Sequence, residues 1–144
     1  CEKSRMKHIL LASHGRLALG MKDTVEFFLG KSDSIVAVSA YLDSSDAYLQ
    51  EIKDFVDAAT AEDSVIFTDI YGGSVNQQVT TIVLESKKEI PIISSMNLPI
   101  IMSVALSDEK VTLEYVESLM EECQPKLVTF EQQEQGDEED EFFD

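Results

Sequence analysis

His14 ends a short apolar run, Ile9-Leu10-Leu11-Ala12-Ser13, and is followed at once by Gly15. A neutral imidazole has an unprotonated ring nitrogen near physiological pH, which makes it a nucleophile. It can attack phosphorus directly and hold the group as a phosphoramidate, with no metal needed for the covalent step. Such a ring works best when a carboxylate keeps its other nitrogen protonated and stabilises the charge that develops. Asp69, which closes another apolar run, is the candidate for that role. Gly72 and Gly73 let the backbone approach an anion, and Ser74 offers a hydroxyl where a helical pattern begins. These three are the candidate phosphate-binding residues, aided by helix-terminal amides rather than by many arginines. Arg16, Tyr71 and Asn97 are candidates for partner docking.

Each signal is ordinary by itself. A histidine after a strand is more often structural than catalytic, and a glycine pair usually marks a turn. His8, near the start of the chain and without a glycine-rich context, reads as a surface residue. Met21 and Phe28 belong to a stripe expected to pack in the core. With two histidines, two cysteines and no CxxC pair, the chain offers no metal-ligand cluster, and no cofactor is implied. Cys123, late in an apolar helical pattern, reads as a buried reduced thiol.

The elements that must position these residues alternate. Strand-like runs at 8–12, 34–38, 64–68 and 90–95 are separated by helical stripes. The first stripe is Leu17, Met21, Val25 and Phe28/Leu29, with Gly30 at its C-cap. The second, capped by Ser44/Ser45, is Tyr48, Ile52, Phe55/Val56 and Ala59. Val75, Val79 and Ile82/Val83 follow the glycines. Asn97 caps a helix opening at Leu98-Pro99, where an early proline costs no hydrogen bond. Leu113, Val116, Leu119/Met120 and Cys123 mark the last helix, and residues 126–130 read as a final edge strand. Nearly continuous apolar strands in a βα alternation imply an α/β fold, a mainly parallel open sheet with helices on both faces. Sites in such sheets lie beyond the carboxyl ends of the strands. There the first, third and fourth strands deliver Ser13-His14-Gly15, Asp69 to Ser74, and Ser95-Met96-Asn97.

Composition excludes several classes. The 144 residues suit one compact domain. A net charge of −17 makes nucleic acid and anionic lipid poor partners. Eight of the 28 acids fall in residues 131–144, which contain no base and are expected to be a solvated, disordered tail. Residues 1–5 precede Met6 and are expected to be a cloning remnant. No apolar run approaches a membrane span of ~20 residues, and no signal peptide is recognised, so a cytoplasmic location is expected. No Walker-type phosphate loop occurs, and Ser13-His14-Gly15 lacks the acidic pair that a phosphorylated receiver domain needs.

The segments Ile9-Leu10-Leu11-Ala12-Ser13-His14-Gly15, Asp69-Ile70-Tyr71-Gly72-Gly73-Ser74 and Met96-Asn97-Leu98-Pro99 together resemble the mannose-type enzyme IIA of the bacterial sugar phosphotransferase system. The resemblance spans roughly residues 6–130. It implies phosphorylation of His14 by the phosphocarrier HPr, with Asp69 as its partner and Ser74 near the phosphate. It also implies onward transfer to a histidine of a IIB component, which serves a IIC/IID membrane complex indirectly. Homodimers that exchange a C-terminal strand are implied too, and residues 126–130 are where that strand would lie. Two positions depart from the pattern. Ile70 stands where some members carry a hydroxyl residue, and Arg16 where an aromatic residue occurs. A phosphoryl carrier for dihydroxyacetone kinase and a phosphorylation-switched regulatory module remain alternative readings.

Overall fold

The structure, a computed structural model, describes residues 6–130. The expectations for residues 1–5 and 131–144 lie outside that range. Four strands form one sheet, β1 (His8–His14), β2 (Ile35–Ala40), β3 (Ser64–Thr68) and β4 (Ile92–Ile93), in the order β2-β1-β3-β4. All three pairings are parallel. Five α-helices connect and cover them: α1 (Leu17–Leu29), α2 (Ala47–Ala58), α3 (Ser74–Ser86), α4 (Leu98–Leu106) and α5 (Leu113–Glu122). No described helix is long and apolar enough to cross a membrane.

Strand side chains alternate between the two faces of the sheet, and the core divides accordingly. Ile9, Leu11, Val65 and Phe67 pack with α1, α4 and α5. Leu10, Ala12, Val38 and Ile66 pack with α2 and α3. Both faces being covered explains why β1 and β3 are apolar throughout rather than alternating. Continuing the alternation beyond Leu10 and Ala12 places His14 on the α2/α3 face, toward the start of α3. Ser13 takes the opposite face, where its buried Oγ accepts the Ala18 N–H at 2.8 Å and fixes the entry to α1.

Several elements differ from expectation. β4 is two residues long rather than six, because Pro91 cannot donate to a ladder and Ser95 turns away at a φ of 59°. Residues 126–130 add no strand to the sheet of a single chain, and Leu127, Val128 and Phe130 project into solvent. In α1 the core stripe is Ala18, Met21 and Val25, whereas Phe28 is exposed and stacks edge-on against the exposed Phe27. In α5, Val116 is buried, with Leu119 and Cys123 partly so, while Leu113 and Met120 face solvent. The cap at Asn97 is as expected: its Oδ1 accepts the Ile100 N–H at 2.9 Å.

Candidate functional site

The strand order reverses between β1 and β3, since the chain places β2 on one side of β1 and β3 on the other. At such a switch the two connecting loops diverge and leave a crevice at the carboxyl edge. His14 is the last residue of β1 and Asp69 follows β3, so the two residues flank that crevice.

Their contact is two-fold. Asp69 Oδ2 accepts the His14 backbone N–H at 2.7 Å and faces the ring Nδ1 at 2.9 Å. Asp69 Oδ1 accepts the Ile70 N–H at 2.9 Å. Burial raises the Asp69 pKa, but the hydrogen bonds from the His14 amide and ring outweigh it. The net result lies below the ordinary 3.8. An ionised carboxylate can only accept, so Nδ1 carries a proton, and in the neutral ring the lone pair is on Nε2. The Asp69 side chain is 7% exposed and the His14 side chain 40%. The orienting group is therefore buried and the reactive nitrogen accessible.

Nε2 meets Ser74 Oγ at 3.1 Å. Ser74 is the first residue of α3 and Gly73 its N-cap, with no side-chain cap. The first amides of a helix lack intrahelical partners and carry its positive end, which favours an anion beside them. The approach of this turn to the histidine is close. A Cβ placed on Gly73 would lie 3.6 Å from His14 Cε1 and 3.4 Å from Ile70 Cβ. Gly72, at a φ of 78°, makes the preceding turn in a conformation that glycine adopts without steric cost. The turn is braced from behind. Gly72 N–H donates to Asn76 Oδ1, Asn76 Nδ2 to Thr68 Oγ1, and Gln77 Nε2 to the Gly72 carbonyl.

The remaining candidates fall into two groups. Tyr71, 82% exposed, lies within the glycine turn, and Arg16 is exposed at the N-cap of α1, two residues after the histidine. Each is exposed and two residues along the chain from His14 or Asp69. Asn97 is engaged in the frame instead: its Oδ1 caps α4 and its Nδ2 donates to the Cys123 carbonyl at 2.8 Å, so its amide ties α4 to the end of α5. The β4 tip touches the β3 tip through Met96 N–H and Thr68 O, and β2 rather than β4 completes the site.

That contribution is Tyr41, which the sequence reading passed over. Its hydroxyl lies 3.0 Å from Ser74 Oγ, and its ring centroid is 5.3 Å from that of His14. Its φ of 66° is unusual for a bulky residue, a conformation that costs on the order of 1–3 kcal/mol and clusters at functional sites. The available signal was its place: Tyr41 directly follows Ala40, the last residue of β2, at the same edge as His14. Among the described residues no group of three or more His, Cys, Asp or Glu is arranged to hold a metal ion.

The arrangement provides an accessible imidazole with one nitrogen fixed, the other free to attack, and anion-stabilising groups alongside. Comparisons with known proteins point the same way. Among solved structures, the PTS IIA protein associated with the fucose utilization operon of Streptococcus pneumoniae matches with a TM-score of 0.72 at 26% identity, covering 92% of this chain and 98% of its own. The phosphotransferase system component EIIA from Streptococcus agalactiae matches at 0.72 and 22%, covering 88% and 98%. The mannose/sorbose specific IIA subunit from Enterococcus faecalis matches at 0.66 and 17%, covering 86% and 96%. At these two lower identities the likeness is one of fold. No curated protein sequence matches significantly. The sequence profile described as the PTS system fructose IIA component matches residues 8–120, and the chain therefore belongs to the EIIA-man family of sugar phosphotransferase system components.

Proposed function

We propose that this protein is a phosphocarrier that receives a phosphoryl group from phospho-HPr on His14 and passes it to a histidine of a IIB component during sugar uptake. The observation that carries the reading is the fixed imidazole: Nδ1 is held by Asp69 while Nε2 is turned to the exposed side, beside Ser74 and the start of α3. The Nε2 lone pair forms the new N–P bond as the donor's P–N bond breaks, and that electron pair returns to the donor ring. The Nδ1 proton stays with His14, where Asp69 offsets the positive charge that spreads over the phosphorylated ring. Gly72 and Gly73 leave room for the phosphoryl oxygens, and the α3 amides and Ser74 hydroxyl donate to them. Transfer between two histidines exchanges similar bonds, so catalysis consists mainly of alignment and electrostatic support. The step onward to IIB is the same reaction with His14 as leaving group.

The same reading places Arg16 and Tyr71 on the docking surface, the protein in the cytoplasm, and the active form as a homodimer. Residues 126–130, with Leu127, Val128 and Phe130 exposed, are the segment offered for exchange. The test is intact mass after incubation with phosphoenolpyruvate, enzyme I and HPr, followed by addition of IIB. Wild type should gain one acid-labile phosphoryl group and lose it to IIB, whereas folded His14→Ala should gain none. Stable phosphorylation of His14→Ala under these conditions would overturn the reading.

A further inference from the structure

We infer that Tyr41 is a positioning residue for phosphoryl transfer, acting through the Ser74 hydroxyl on Nε2 of His14. The inference rests on the phosphocarrier reading and follows from counting protons. Asp69 accepts from Nδ1, so in the neutral, nucleophilic ring Nε2 is the acceptor of its contact with Ser74. Ser74 has a single O–H, and that contact uses it. The 3.0 Å contact between Tyr41 and Ser74 can then be filled only by the Tyr41 O–H donating to Ser74 Oγ. The hydrogen bonds thus form one directed chain, in which Tyr41 donates to Ser74 and Ser74 to Nε2. The far side of the ring, Nδ1–H, donates to Asp69.

This chain sets what happens at the moment of attack. The lone pair that accepts from Ser74 is the one that must bond to phosphorus, so the Ser74 O–H has to leave it. With Oγ still anchored by Tyr41, the hydroxyl rotates rather than drifts, and its proton turns to an oxygen of the phosphoryl group whose phosphorus is bonding to Nε2. The N–P bond forms, the donor's P–N bond breaks, and no proton is gained or lost by His14, Ser74 or Tyr41. Only one hydrogen bond changes its acceptor.

Tyr41 is itself held firmly. The Gly15 N–H donates to the Ala40 carbonyl at 2.9 Å, tying the loop after His14 to the residue before Tyr41. The Tyr41 ring lies 5.5 Å from that of Tyr48, which is buried among the residues of α2 and α3. With its backbone in the left-handed region as well, the hydroxyl is directed at Ser74 by the fold.

The experiment is a double-mutant cycle on phosphoryl acceptance from phospho-HPr by rapid quench, using Tyr41→Phe, Ser74→Ala and the double variant. Phenylalanine keeps the ring contacts and removes only the hydroxyl. Tyr41→Phe should lower the maximal rate about 3- to 10-fold, the range for losing one ordinary hydrogen bond. Half-saturation by phospho-HPr should not change. The double variant should be no slower than Ser74→Ala alone, because Tyr41 acts through Ser74. An unchanged maximal rate, a change in half-saturation only, or additive losses would each overturn the inference. A second readout needs no phosphoryl transfer: in the unphosphorylated protein, Tyr41→Phe should move the Nε2 nitrogen resonance of His14 in the same direction as Ser74→Ala, but less. A wild type that takes up no phosphoryl group, while that resonance still moves, sinks the carrier reading and leaves the relay standing. A resonance that stays put sinks the relay.

Discussion

His8 and His14 are the two ends of one strand, and they sit in opposite electrostatic surroundings. In a parallel sheet every strand points the same way, so one edge collects strand C-termini and helix N-termini and the other collects helix C-termini. His14 lies at the first edge, beside the uncapped start of α3. His8 lies at the second, exposed beside a cleft lined by Asp33, Glu51 and Asp54. What each edge recruits follows from the unpaired backbone groups it presents. At the His8 edge these are carbonyls, and lysines answer them. Lys88 Nζ donates at 2.8 Å to each of the carbonyls of Val56, Asp57 and Ala59 at the end of α2. The buried Lys7 donates at 2.9 Å to Ser107, the C-cap of α4. At the His14 edge the open groups are amides, which suit a phosphoryl group. On the phosphocarrier reading, edge and carboxylate rather than residue type are what suit His14, and not His8, to carry a phosphoryl group.

The sharpest break of that comparison is to remove each histidine in turn. His14→Ala should abolish phosphoryl acceptance, and His8→Ala should leave its rate within about two-fold, both read by intact mass and rapid quench. Next in size is Asp69→Asn, which keeps the shape but removes the charge and turns one of the two accepting oxygens into a donor, so the tautomer is no longer enforced. Loss of such an orienting partner costs roughly 10- to 100-fold, so the transfer rate should fall by that much while binding of HPr persists. At the other edge, Lys88→Met should destabilise the fold by about 2 kcal/mol, since charge-assisted hydrogen bonds are lost and carbonyls are left unanswered. Denaturant unfolding measures that loss, and phosphoryl acceptance at low temperature should not change. Asn97→Ala should cost about 1 kcal/mol through the lost cap, again with unchanged transfer. A transfer defect there would move Asn97 from the frame of the fold to the docking surface.

The smallest effect concerns pH. The folded-state pKa of Asp69 lies below its ordinary value of 3.8. Its ionised contacts therefore contribute stability that is fully present above that ordinary value and is lost as pH falls through the lower, folded one. The stability advantage of wild type over Asp69→Asn should be constant near neutrality and shrink below about pH 4, as measured by urea unfolding at both ends of the range.

Much of this organisation was legible in the residues, for reasons that differ by element. β1 and β3 stood out because both faces of the sheet are covered, so their sequences are unbroken apolar runs. His14, Asp69 and Ser74 followed from the rule that such strands deliver their next residues to one edge, and the structure brings all three together. The face of α1 was legible at Met21 and Val25 but not at its end, because Phe27-Phe28-Leu29 is apolar at three consecutive positions and periodicity cannot choose among them. Tyr41 was missed for a related reason. Ser39-Ala40-Tyr41-Leu42 contains no glycine or proline to mark a turn, and the left-handed backbone at Tyr41 arises where β2 ends against the loop after His14. The length of β4 was overestimated because Ile92 and Ile93 alone find ladder partners on β3.

The account turns on one atom, Nε2 of His14, left free to attack because Asp69 holds Nδ1. Nitrogen-15 and phosphorus-31 NMR of the phosphorylated, isotope-labelled protein reads that atom directly. The account predicts phosphorus coupled to Nε2 of His14, with Nδ1 still protonated. Phosphorus on Nδ1, or on any residue other than His14, would contradict it.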